Sequence, residues 1–204
     1  MYLMTCTRPD LAFPLSVLSR LVATGRHRPV HWTAAVRVAK YLATTSSMGL
    51  VLRGTQPVML TGHCDSSYAD DVETQHLTQG YCFRLGTSAV SWRSTQSSYV
   101  ALSSAEAEIY AGAMTAQELR WLTFLLTNKA MILLCQEPRM ERRVKHIDVR
   151  YFLLRELQRC GQARLDFVAL VANTTNVFTK ALVPGDHHRF CVQLGLVEVG
   201  PRLL

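Results

Sequence analysis

The sequence lacks the ligand spacings that announce a metal site. Its six cysteines, Cys6, Cys64, Cys82, Cys135, Cys160 and Cys191, include no C-x-x-C pair, and its seven histidines include the adjacent His187 and His188 but no H-E-x-x-H. Neither a zinc centre nor a disulfide framework is signalled, so reduced, mostly packed thiols are the simpler reading. Long apolar runs are missing too. None approaches the roughly 18 residues of a membrane span, and the opening MYLMTCTRPD has no basic segment followed by an apolar core. These absences lead us to expect a soluble, intracellular chain, cytoplasmic or nuclear, with no membrane partner. Negative charge is scarce: 15 acidic residues face 22 Lys and Arg, a formal charge of +7. That excess favours an acidic partner, most economically nucleic acid.

What is present describes a globular protein. Hydrophobic residues make up 49% of the 204 positions and charged ones 18%, a balance that excludes a disordered chain. The length suffices for one well-buried domain plus an appendage. Leu11, Leu15, Leu18 and Val22 recur at helical spacing, as do Trp32, Val36, Ala39 and Ala43 after Pro29, with the polar GRHRP between them. Residues 44–56, rich in Thr, Ser and Gly, read as a linker. VMLTGHCDS (58–66) reads as a strand ending at Asp65, and GYCFRLG (80–86) as a half-buried strand alternating Tyr81, Phe83 and Leu85 against Cys82 and Arg84. Gly86-Thr87-Ser88 turns it into AVSWR (89–93). A long helix opens at Ser103, a second amphipathic helix covers 144–159 with Gly161 as terminator, a strand covers 164–171, and helical pieces follow near 178–182 and 186–194. Trp92 and Trp121 fall in apolar patterns and read as core. Strands followed by helices and a late strand predict an α/β domain with a mixed sheet flanked by helices.

Two glutamates near the start of the long helix, in SSAEAEIYA (103–111), sit two positions apart and so point to nearly opposite sides. Ser103-Ser104-Ala105-Glu106 fits a capping box, in which the Ser hydroxyl takes the N–H three residues on and the Glu reaches back to the Ser N–H. Glu106 is thereby assigned to structure. Glu108 is left to face the sheet, although a glutamate near a helix start is often only a solvated charge favoured by the dipole.

The order of the motifs adds to this. TRPDLAF (7–13), the HW…A…R…KYL run (31–42), GHCDSSYADD (62–71), TQGYCFRLG…VSWRS (78–94), SSAEAEIYA, KHIDVRYFLLRE (145–156) and NTTNVFTKAL (173–182) succeed one another along nearly the whole chain. Together they resemble the C-terminal end of the Pol polyprotein of copia-type retrotransposons, the last helices of reverse transcriptase followed by ribonuclease H. The resemblance implies a reverse-transcriptase remnant at 1–55, a ribonuclease H-like domain at 56–196 and a tail at 197–204. It implies a mixed five-stranded sheet and cleavage of RNA in an RNA–DNA hybrid by two Mg²⁺ ions. Two such ions need about four carboxylates to hold them and offset their charge. Carried over, the first is Asp65 and the second Glu108, and both would be metal ligands and catalytic.

The other two positions depart from the pattern. Members of that family carry, after the long helix, a loop and an apolar strand ending in Asp-Asn. Here LTFLLT runs directly into NKAMILLCQEP, which removes one central strand and leaves Thr127 where the acid should be. The last motif usually reads Ala-Asp before Ile/Val-Phe-Thr-Lys, whereas this chain has Thr175-Asn176, an amide with a carbonyl oxygen but no charge. Asp70, Asp71, Glu137 and Asp148 read as surface charges rather than displaced ligands. With two of four carboxylates absent, binding of Mg²⁺ and catalysis are expected to be weak or lost.

His146 has an auxiliary role by the same resemblance, in product release, beside the plainer reading of a packed or solvated helix-face histidine. Arg139, Arg142, Arg143, Lys145 and Arg150 form a basic cluster that suits either a solvated face or contact with a nucleic-acid backbone. Three functional readings stand at this point: an inactive ribonuclease H-like relic, a non-enzymatic nucleic-acid or protein interaction module put to new use by a host or pathogen, and a residual hybrid nuclease.

Overall fold

The computed structural model describes residues 2–52, 59–67, 76–98, 100–127, 157, 159–164, 166, 168–169 and 172–199. Helix α1 covers Tyr2–Cys6, a 3-10 turn covers Pro9–Leu11, α2 covers Ala12–Ala23 and α3 covers Pro29–Thr44. Strands β1 (Met48–Leu50), β2 (Leu60–Ser67), β3 (Thr78–Leu85) and β4 (Ser88–Gln96) follow. Then come the long α4 (Ser104–Thr127), α5 (Asn176–Thr179), α6 (Pro184–Gln193) and β5 (Leu196–Glu198).

Two sheets result. The larger has the order β2-β3-β4 and is antiparallel throughout, with Asp65 opposite Gly80 and Gly80 opposite Ser94. Gly86, at φ 62, supplies the left-handed residue that closes the β3–β4 hairpin. The smaller sheet pairs β1 with β5, Met48 against Glu198. Residues 44–56, expected as a linker, therefore contain a strand, whose partner includes the first residues of the expected 197–204 tail.

The alternation in GYCFRLG places Tyr81 and Phe83 on one face of the sheet with Leu122, Met114 and Leu119 of α4. Cys82 points to the other face, into a core of Ala12, Ala89, Val177, Phe178, Phe190 and Leu194. Strand β3 is thus covered on both sides rather than half-buried, because α4 packs on one face while α2, α5 and α6 occupy the other. An α/β architecture with helices on both faces of the sheet is what this amounts to.

Several sequence expectations are corrected. In the stretch 164–171, the described positions Arg164, Asp166, Val168 and Ala169 have no strand pairing. Arg164 instead bonds Asp166 two residues on, with both side chains largely in solvent. The late strand is therefore not observed at the described positions, and the sheet they form is antiparallel rather than mixed. The helix expected near 178–182 begins two residues earlier and ends at Thr179, since Lys180 is extended. Trp121 is 53% exposed rather than core, whereas Trp92 is partly covered and donates its indole N–H to the Met4 carbonyl at 2.7 Å. Trp32 is 73% exposed, so the stripe read for α3 is not its packed face. That face carries Tyr41, whose hydroxyl reaches inward to Asp10. Of the helix expected over 144–159, only Leu157 and Arg159 are among the described residues, both helical, and Gly161 beyond them has φ 67 as a terminator should. Among the described residues no helix is long and apolar enough to cross a membrane.

Candidate functional site

The geometry begins with the strand period. In β2, Asp65 is only 3% exposed, so its carboxylate is directed into the protein and must find partners there. Two come from the C-terminal end of α5: the Thr179 hydroxyl donates to Asp65 Oδ2, and the ammonium of the capping residue Lys180 lies 3.3 Å from the same oxygen. Thr179 is fully buried and Lys180 about one-third exposed, so the pair forms a lid of one hydroxyl and one cation over a single carboxylate oxygen.

Residue 173 fastens this segment to the strand. The Asn173 amide donates to the Cys64 carbonyl at 2.9 Å, while its own carbonyl accepts from the Thr175 N–H at 3.2 Å. A side-chain amide thus stands where a neighbouring strand would ordinarily donate to β2. The short helix that follows buries Asn176, Val177, Phe178 and Thr179 against the sheet.

Helix α4 supplies the second acid. Its cap is close to that expected: the Ser103 hydroxyl accepts the Glu106 N–H at 3.1 Å. Glu106, however, reaches one residue further back than the capping-box pattern, accepting from the Leu102 N–H at 2.6 Å, and it also accepts from the Tyr110 hydroxyl. Its carboxylate is engaged in local structure. Glu108 lies on the other side of the helix, exposed at its surface yet within the field of Asp65. Partial burial raises its carboxyl pKa, opposed by hydrogen bonding to Ser66; Asp65 raises it further and Lys180 lowers it. The Cys64 thiol is pushed up to about 11, first by burial and then by Glu108, which locates that carboxylate beside β2 as well.

The fold therefore brings together Asp65, Glu108 and the 173–180 segment that carries Asn176. It does not bring Thr127 there. That residue closes α4, and at 1.5 Å per residue it lies roughly 28 Å along the axis from Glu108. No residue at 127 could act as a third ligand, and the correspondence drawn there from sequence order has no spatial meaning. His146, Arg139, Arg142, Arg143, Lys145 and Arg150, with Asp70, Asp71, Glu137 and Asp148, lie outside the described residues. Sequence reasoning missed Thr179, Lys180 and Asn173 as partners of the site, although the Thr-Lys pair stood within NTTNVFTKAL. A buried carboxylate on a strand end demands a donor or a cation, and that demand was the available signal.

A pair of Mg²⁺ ions requires about four carboxylates in one place. Among the described residues no group of three His, Cys, Asp or Glu is placed to hold a metal. One oxygen of Asp65 already accepts a hydroxyl and faces an ammonium, and the residue in the last motif is neutral. These residues do not fit a pair of Mg²⁺ ions.

Away from the carboxylates, a cleft of about 580 Å³ opens between α1, α2 and β4, lined by Arg20, Arg93, Ser16, Ser19, Trp92 and Thr95. Its arginines and hydroxyls are the groups that contact phosphate oxygens.

An α/β domain with one acid two residues before the end of a strand and one in the second turn of a packed helix is compatible with a ribonuclease H-like domain. The comparisons place it more closely. The chain is 32% identical over 208 residues to the retrovirus-related Pol polyprotein from transposon TNT 1-94 of Nicotiana tabacum, covering 95% of this chain and 15% of that protein. It is 31% identical over 212 residues to the corresponding polyprotein from transposon RE2 of Arabidopsis thaliana, covering 96% of this chain and 14% of that one. It is also 44% identical over 123 residues to a protein named secreted RxLR effector protein 161 of Plasmopara viticola, covering 60% of this chain and 85% of that protein. No protein-family model matches the chain, and no solved structure matches it significantly. The chain belongs to the copia-type, retrovirus-related Pol polyproteins of transposons. It spans about one-seventh of the length of the Pol relatives it matches.

Proposed function

We propose that the chain is a retrotransposon-derived ribonuclease H-like domain, residues 56–196, with a reverse-transcriptase remnant at 1–55, and that it contacts nucleic acid without hydrolysing it. The observation that carries this reading is the composition of the site: Asp65 has Glu108 as its acidic neighbour, while the last motif offers the buried amide of Asn176 in place of a carboxylate. Mg²⁺ in such a site would supply water activation and steadying of a leaving oxygen, and these residues leave its charge mostly uncompensated. The formal charge of +7 and the arginine-bearing cleft support a nucleic-acid partner, an RNA–DNA hybrid foremost.

The test is a labelled RNA–DNA hybrid incubated with the purified chain and Mg²⁺. Salt-sensitive binding without cleavage is the expected result. Robust turnover abolished by Asp65→Asn would overturn the reading and establish a residual nuclease. The Plasmopara viticola relative favours a second reading: most of a protein named a secreted effector corresponds to this region, which suits a module reused for interaction outside any polyprotein. Binding to a protein partner that hybrid DNA fails to displace would support that alternative.

A further inference from the structure

The partners of Asp65 raise a question that the loss of metal carboxylates does not answer: what keeps a nearly fully buried carboxylate stable if no ion is there? An unpaired charge in such a place is costly enough to force neutralisation or unfolding. The structure provides a cation of its own. Lys180 Nζ stands 3.3 Å from Asp65 Oδ2, and the same oxygen accepts the Thr179 hydroxyl. Lys180 also lies within the field of Glu108 and favours its charged form.

The local backbone shows why the ammonium arrives there. Helix α5 ends at Thr179, and its cap, Lys180, is extended at φ −149, ψ 157. That abrupt change of direction sends the Lys180 side chain back to β2 instead of onward along a helix. Phe178, fully buried, anchors the turn beneath the sheet, and Asn173 ties its front end to Cys64. Both ends of the segment are therefore fixed before the ammonium makes its contact. A charge held on a preorganised stem competes well with an ion that must shed water to enter.

We infer that Lys180 is the resident cation of this site, a positioning residue that occupies Asp65 in place of a divalent ion and makes the fold independent of metal. The inference rests on the reading of the site as non-catalytic and deepens it, since it states what the site does with its remaining acids. A divalent ion that takes Asp65 Oδ2 must displace Lys180, and one on the other oxygen still meets its charge, so the lysine lowers the affinity of the site for metal.

The test uses the full chain and Mn²⁺ as the probe, followed by electron paramagnetic resonance of the free ion. The chain as it stands is expected to bind Mn²⁺ weakly and to unfold at the same temperature in EDTA as in Mg²⁺. Lys180→Met removes the charge while keeping the stem. It should tighten Mn²⁺ binding by about tenfold or more, the least effect expected from removing a unit charge in contact with a ligand oxygen. The gain should vanish in the Lys180→Met/Asp65→Asn double variant, and Lys180→Arg should behave like the parent. An affinity for Mn²⁺ that stays within twofold in Lys180→Met would overturn the inference. Should Lys180→Met fail to fold in EDTA, its recovery on adding Mn²⁺ supports the inference, and continued failure with Mn²⁺ overturns it. Hybrid cleavage by the unaltered chain would sink the non-catalytic reading, whereas an unmoved Mn²⁺ affinity without cleavage would sink only the role of Lys180.

Discussion

Replacing Arg8 with Met should damage this protein more than any surface change. The Arg8 guanidinium donates to Asp10 through Nη2 at 2.7 Å and Nε at 3.0 Å, and to Thr45 through Nη1 and Nη2 at 3.1 and 2.8 Å. Tyr41 donates its hydroxyl to the same Asp10 at 2.8 Å. The Arg8 and Asp10 side chains are 6% and 0% exposed, so solvent screens the pair little. The Arg8 pKa is raised, chiefly by its hydrogen bonds to Asp10 and against the cost of burial. Methionine would fill much of the space but leave the Asp10 carboxylate buried with Tyr41 as its donor. Breaking a buried pair from one side costs about 3–5 kcal/mol. At about 2–4 °C per kcal/mol for a chain of this size, the melting temperature should fall by roughly 6–20 °C. Thermal unfolding followed by tryptophan fluorescence measures the fall, and urea unfolding the free energy, since Trp92 is bonded to Met4 in the segment that Arg8 secures. The double variant Arg8→Met/Asp10→Leu should recover part of the loss, because no charge is then stranded. A loss below about 1 kcal/mol in the single variant, or a double variant no better than the single, would refute the argument that this pair locks α3 to the 3-10 turn.

Other perturbations give sharp outcomes. Gly80→Ala would put a Cβ 2.7 Å from that of Phe178 and 3.2 Å from the Arg93 carbonyl, so it should cost about 1–3 kcal/mol by overpacking and loosen Thr179 from Asp65; calorimetry checks the first. Thiol labelling at pH 8 should modify Cys6 and Cys160, which are exposed, well before Cys64, Cys82 and Cys191, whose burial pushes their pKa values to about 11, 12 and 12; peptide mass spectrometry reads the order. His63 has its pKa lowered from 6.5 by burial and then by Arg84, and its Nδ1 has no hydrogen-bond partner among the described residues. The unfolded chain therefore takes up the proton first, so stability holds above about pH 6.5 and declines as pH falls below it, by up to about 1.4 kcal/mol per pH unit. His63→Leu should flatten that slope in urea titrations between pH 6.5 and 5.5, and an unchanged slope would exclude His63 as its source.

Much of the site could be read along the chain because its parts obey local periodicities. The offset of two between Glu106 and Glu108 decides their opposite directions on any helix, and the observed bonds of Glu106 to Leu102 and Tyr110 follow from it. The alternation around Tyr81 and Phe83 decided which side chains face α4, and the Gly86 turn fixed the β3–β4 hairpin. Where the expectations failed, the reason was longer range. Trp121 and Trp32 fall at apolar positions, yet no element packs over them among the described residues, and hydrophobicity alone cannot say which face of a helix will be covered. Thr127 lined up with an acid in sequence order while α4 carried it away from Glu108.

The sequence by itself determined the family, the acids Asp65 and Glu108, the neutral Asn176 and the order of helices and hairpin, because these depend on residue identity and on spacings of a few positions. Tertiary structure alone decided that Lys180, far along the chain from Asp65, ends 3.3 Å from its carboxylate, and that Arg8 joins Asp10 to Thr45. The physical reason is that a buried charge takes whatever partner the packed chain delivers to it, and delivery depends on where helices end and turn, which no local pattern encodes.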